Sequence, residues 1–164
     1  MRKITIILYI LFCAGFLQAQ DYSTGIGFRT GVAHGLTVKH FIDEKAAIEA
    51  MLSTRWKGIT ITGLYETHAP VWDTPRLNWY IGGGGHVAFY DYEYDEREHM
   101  KKNPCVDDYD DHALIGIDGI VGIEYTFKQL PLNFGFDWKP TFDLVECNDF
   151  RADEVSLFVR FGIK

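Results

Sequence analysis

The chain has 164 residues, 47% of them hydrophobic and 15% aromatic, with a formal net charge of −7. This length fits one domain. The acidic balance lacks the basic footprint of a nucleic-acid-binding protein, which argues against a nucleic-acid partner. Beyond the N-terminal region no segment has the roughly twenty apolar residues of a membrane-spanning helix.

The N-terminal region predicts a secretory signal peptide over residues 1–20. Arg2 and Lys3 precede an apolar run from Ile4 to Phe16, and a short polar segment ends near Gln20. A charged start, a short apolar middle and a cleavage region are typical of such peptides. We expect residues 21–164 to form a single domain. Without Arg2 and Lys3 its net charge becomes −9.

Two cysteines remain after removal of the signal peptide, Cys105 and Cys147. An even number of cysteines in an exported protein favours a disulfide bond between them. Two free buried thiols are the alternative.

Apolar and polar residues alternate along most of the chain, and this alternation predicts β-strands. The segment from Ala46 to Trp56 also contains good helix formers after Asp43, but its alternation and short connections favour a strand. The glycines from Gly82 to Gly85 lack the lysine and the helix of a phosphate-binding loop, so they predict strand curvature instead. The eight predicted strands cover residues 22–32, 36–41, 46–56, 59–69, 77–92, 113–127, 132–145 and 154–164.

Eight strands with short connections predict an all-β fold, an antiparallel up-and-down barrel closed on itself. The apolar, aromatic face of each strand is backed by a charged face. This arrangement is typical of a transmembrane barrel wall between lipid and a polar lumen. Two aromatic girdles are expected, with Trp79, Tyr125 and Phe127 towards the periplasm and Trp56, Phe89 and Phe142 towards the outside.

The polar face contains nearly balanced charges. Because an eight-stranded barrel is filled by its own side chains, and buried charges need partners, we expect these residues to form a packed lumen charge network. Its predicted members are Arg29, Lys39, Glu49, Arg55, Glu66, Asp118, Glu124, Asp137, Lys139, Asp143 and Arg160.

The order of elements, and above all the segment GIDGIVGIEYTFKQLPLNFGFDWKP, resembles the small outer-membrane β-barrel families of Gram-negative bacteria. The resemblance extends from Asp21 to Lys164. It implies a location in the bacterial outer membrane, contact with outer-membrane lipid and lipopolysaccharide, and assembly by the barrel-assembly machinery. The outer loops would carry any binding of an extracellular or periplasmic protein partner.

Catalytic and metal motifs are weak, so neither a catalytic residue nor a cofactor is predicted. Ser156 and His86 share the polar face, as in an outer-membrane lipid hydrolase, but they lie on non-neighbouring strands and no G-x-S-x-G motif is present. The acidic segment 107–111 offers oxygen ligands for a divalent cation, although a solvated loop is favoured. The main alternative to a membrane barrel is a secreted soluble barrel with an apolar lumen that binds a small apolar ligand.

Overall fold

A computed structural model describes residues 22–55, 58–72, 74, 76–90, 113–144 and 150–163, with only the backbone of Arg55, Tyr90 and Ala113. The predicted signal peptide, Cys105, Cys147, Trp56 and the acidic segment 107–111 lie outside these residues. Within the described part of the chain, no helix is long and apolar enough to span a membrane.

The described chain is built from ten β-strands. Their bounds are β1 Thr24–Gly31, β2 His34–Phe41, β3 Ala46–Arg55, β4 Gly58–Pro70, β5 Leu77–Tyr90, β6 Ala113–Thr126, β7 Leu132–Trp138, β8 Thr141–Asp143, β9 Phe150–Arg151 and β10 Val155–Ile163. The ambiguous segment is thus a strand, β3. Gly82 to Gly85 lie inside β5.

These strands form a closed eight-stranded antiparallel barrel, which confirms the predicted fold class. Consecutive strands pair from β1 to β6, and β1 also pairs with β10, with Thr24 opposite Ile163. Strands β7 and β8 both pair with β6 in one continuous register and count as one barrel strand. The break between them falls at Pro140, which has no backbone N–H to donate to the ladder.

The eighth barrel strand contains β9 and β10. Phe142 of β8 pairs with Phe150, whereas Trp138 of β7 pairs with Val155. The register therefore shifts by one residue between β9 and β10, as at a β-bulge. The indole N–H of Trp138 donates to the carbonyl oxygen of Ala152 at 2.7 Å. This hydrogen bond connects the segment between β9 and β10 to the neighbouring strand β7.

The barrel has two distinct ends. The turn end contains the short connections 42–45, 71–76 and 127–131, and the loop end contains residues 32–33 and the last residues of β3, β5 and β8. Antiparallel pairing places each group of connections on its own end.

The polarity of the barrel is inverted relative to an ordinary globular domain. Phe28 at the middle of β1 is 72% exposed, and isoleucine, leucine, valine and phenylalanine cover the outer face of the other strands. The lumen contains a small apolar group, Met51, Leu64, Tyr80, Ile120 and Phe158. Most other buried side chains are polar or charged.

Candidate functional site

The lumen is the candidate site because it collects the titratable side chains of the barrel. Of the eleven predicted lumen residues, all except Arg55 have described side chains, and these ten are buried. They form two ion-pair clusters joined by a bridge.

The turn-end cluster surrounds two cations, which come from the strands on either side of β1. Lys39 of β2 lies 3.2 Å from Glu49 and 2.6 Å from Glu66, measured from Nζ to a carboxylate oxygen. Arg160 of β10 donates to Glu49 at 2.5 Å and to Glu124 at 3.4 Å. Carboxylates from β3, β4 and β6 therefore share two cations, which ties five barrel strands together across the lumen.

Aromatic rings complete this cluster. Lys39 Nζ lies 3.9 Å from the centre of the Tyr80 ring, and the Arg160 guanidinium lies 3.8 Å from the centre of the Phe158 ring. A desolvated cation over an aromatic face gains a further electrostatic contribution. The His68 ring stacks on Tyr80 with the ring centres 5.1 Å apart.

Tyr22, which precedes β1, closes the lumen at the turn end. Its ring meets Phe41 edge-on at 5.6 Å, and Phe41 in turn contacts His68 at 4.9 Å. Burial, with a smaller contribution from the Glu124 carboxylate, raises the pKa of the Tyr22 phenol above its usual value. The phenol therefore stays neutral at physiological pH.

A bridge of three side chains connects the two clusters. Asp137 of β7 accepts a hydrogen bond from the Arg29 guanidinium at 2.6 Å and from the Tyr80 hydroxyl at 3.1 Å. The Arg29 guanidinium also lies 4.0 Å from Glu154 of the loop-end cluster.

The loop-end cluster is built around His86 of β5. Its two ring nitrogens each lie 3.0 Å from a carboxylate oxygen, Nδ1 from Asp118 and Nε2 from Asp143. Lys139 lies 3.3 Å from Asp118 and 3.1 Å from Glu154.

Two members of this cluster, Glu154 and Arg151, were not predicted from the sequence. Glu154 shares the alternation of Ser156 and Arg160, which is a usable signal for a lumen position. Arg151 pairs with Asp143 at 2.9 Å. No regular alternation reveals Arg151, because the register shifts between β9 and β10.

Ser156 and His86, the pair that the lipid-hydrolase alternative would need, do not form a hydrogen bond in the structure. Both nitrogens of His86 face carboxylates, and the buried Ser156 hydroxyl has no hydrogen-bond partner among the described residues. A nucleophilic serine needs a histidine nitrogen at about 3 Å. Nor do the described histidine and acidic residues form a group of three or more that could hold a metal ion.

Comparisons of the chain with protein-family models, with curated proteins and with solved structures find no match.

Proposed function

We propose that this protein is a non-enzymatic, integral outer-membrane β-barrel whose wall contacts lipid and whose filled lumen has a structural role. One observation carries the proposal: most side chains that face out of the barrel are apolar, whereas most that face in are polar or charged, and the charged ones form ion pairs. In a bilayer the hydrocarbon chains cover the outer face, and the pairing of β1 with β10 gives the backbone groups of these two strands hydrogen-bond partners.

The secreted soluble barrel is the weaker candidate. Such a barrel would bind an apolar ligand with apolar residues inside and would present charges to water. Here the exposed outer face carries Phe28, Phe136 and Leu157 among many others, whereas Lys39 and Arg160 are fully buried. Contiguous apolar surface of this extent is rare on soluble monomers.

The aromatic side chains support the same proposal. Trp79 and Phe127 are exposed near the turn end, and Phe89 is exposed near the loop end. Tyr125, Phe127 and Phe134 also contact one another, with ring centres 5.3 to 5.9 Å apart. Aromatic residues at both ends of an apolar band suit the two membrane interfaces.

Fractionation of cells that express the full chain tests the proposal. We expect the protein to sediment with the outer membrane, to resist alkaline carbonate washing and to dissolve only in detergent. Recovery of the folded chain in the aqueous periplasmic or secreted fraction would contradict a membrane barrel and favour the soluble one. A soluble periplasmic protein and a known outer-membrane barrel serve as controls.

A further inference from the structure

Each of the three connections at the turn end presents an exposed apolar side chain and a cation. The first has Ile42 and Lys45, and the second has Trp72 and Arg76. The third, 127–131, has Leu130 and Lys128. None of these apolar side chains is needed to cover the lumen, which Tyr22 and Phe41 close.

Trp72 is the most pronounced case. It is 88% exposed, the highest value among the large apolar residues of the described chain. Its φ is 47°, and Arg76 in the same connection has a φ of 72°. Residues other than glycine seldom adopt this left-handed region, and bulky ones pay for it in conformational energy.

Hydrogen bonds nevertheless hold both ends of the connection 71–76 in place. The Val71 N–H donates to the carbonyl oxygen of Leu77 at 2.9 Å, and the Thr126 N–H donates to that of Arg76 at 3.0 Å. The Arg76 guanidinium donates to the carbonyl oxygen of Phe127 at 3.4 Å. Trp72 is therefore displayed by a hydrogen-bonded turn with a strained backbone.

We propose that the turn end docks into the headgroup layer of a phospholipid leaflet, with Ile42, Trp72 and Leu130 inserted between lipids. Tryptophan favours this layer because its ring is apolar and its N–H is polar. The adjacent cations suit lipid phosphates. In the sequence these connections carry three cations and also three acids, Asp43, Glu44 and Asp73. Because these charges balance, apolar insertion supplies most of the binding.

The surface is continuous with the lipid-facing wall of the proposed function, on which this inference rests. Trp79 of β5 lies on the outer face near the same end, and the aromatic group of Tyr125, Phe127 and Phe134 adjoins the third connection. A soluble protein partner would be the other kind of occupant, and in vesicles without that partner Trp72 would then be open to water.

Two single-tryptophan forms of the full chain make the test. One keeps Trp72 and carries phenylalanine at positions 56, 79 and 138, and the other keeps Trp79 in the same way. Each is folded into phosphatidylcholine vesicles with a nitroxide on the headgroup, with bromine midway along the acyl chains, or with iodide in the water on both sides. Circular dichroism checks that both forms contain the barrel.

We expect the headgroup nitroxide to quench Trp72 strongly, and iodide to quench it several-fold less than free tryptophan. Trp79 should respond to the lipid quenchers and not to iodide. If lipid quenches Trp79 while iodide quenches Trp72 as freely as it quenches free tryptophan, the inference is wrong and the membrane barrel stands. If iodide reaches both residues and lipid quenches neither, both proposals are wrong.

Discussion

At the scale of single residues, the lumen charges are stable only as a set. Moving an ion out of water costs several kcal/mol, and close partners must offset this cost. Glu49 meets both Arg160 and Lys39, and the Thr37 hydroxyl donates a further hydrogen bond to it. Loss of one cation therefore leaves buried carboxylates without an ion-pair partner and without contact with water.

Arg160→Ala should lower the free energy of unfolding by about 3–5 kcal/mol, the usual cost of breaking a buried ion pair. Urea unfolding in phospholipid vesicles, followed by tryptophan fluorescence, measures the change. Lys128→Ala removes a cation from an exposed turn position instead and should change the value by no more than about 0.5 kcal/mol. Equal effects of the two substitutions would show that Arg160 has no special role.

His86 invites a second test, because both of its ring nitrogens have carboxylate partners on β6 and β8. His86→Leu leaves Asp118 and Asp143 each without one partner. We expect a loss of about 1–3 kcal/mol, as for buried groups deprived of a hydrogen bond. The same unfolding assay measures it, and an unchanged midpoint and slope would contradict the assigned contacts.

At the scale of the strand, the glycines of β4 and β5 divide by the face on which they lie. A Cβ added to Gly84, on the lumen-facing row, would overlap the carbonyl oxygen of Gly63. A Cβ added to Gly63, on the outer face, would meet nothing within 4 Å. Glycine at position 84 is therefore required by the close approach of two backbones, whereas sterics do not require it at position 63.

Gly84→Ala should destabilise the barrel by about 1–3 kcal/mol, as overpacking usually does. Gly63→Ala in the neighbouring strand should instead be neutral or stabilise it by about 0.4–1 kcal/mol, because alanine restricts the unfolded chain. Refolding yield and urea unfolding in vesicles compare the two. Similar losses for both would contradict the steric distinction.

At the scale of the whole molecule, the closed strand pairing and the filled lumen together determine whether solutes can pass through the barrel. Pairing of β1 with β10 leaves no open edge between the first and last strands. Lys39, Glu49, Glu66 and Arg160 in the lumen are inaccessible to solvent. An eight-stranded barrel filled in this way has no room for an aqueous channel.

Vesicles that contain the folded protein should therefore stay impermeable to small sugars and should show no steady conductance in planar bilayers. A porin in the same vesicles is the positive control for permeability. Stable open-channel steps from the unmodified chain would show that the lumen is not sealed.

The free-energy cost of a charge placed on the outer wall should show whether lipid or water surrounds the barrel. Val159→Arg, in the middle of β10, should cost about 2–4 kcal/mol in a bilayer, whereas Ile163→Arg, at the end of the strand, should cost about 0–1 kcal/mol. Both side chains are exposed on the outer face. Unfolding in vesicles measures the difference, and two small, equal costs would contradict lipid contact at mid-wall.

The sequence by itself determined most of the strand positions, the two faces of the strands and ten of the residues that share the lumen. Alternation is a local property of the chain, and side chains point to opposite faces of a strand with a period of two. It also decided β3 against the helix, because Ile48, Ala50 and Leu52 alternate with Ala47, Glu49 and Met51.

Only the tertiary structure decided which charges pair. Arg160 and Glu49 are 111 residues apart, and their contact depends on barrel closure and on the register of every intervening strand. The structure likewise joined β7 to β8 across Pro140 and shifted the register between β9 and β10, which brought Arg151 into contact with Asp143. Alternation fixes the face of a residue, but its partner across the lumen depends on strand stagger, which no local pattern encodes.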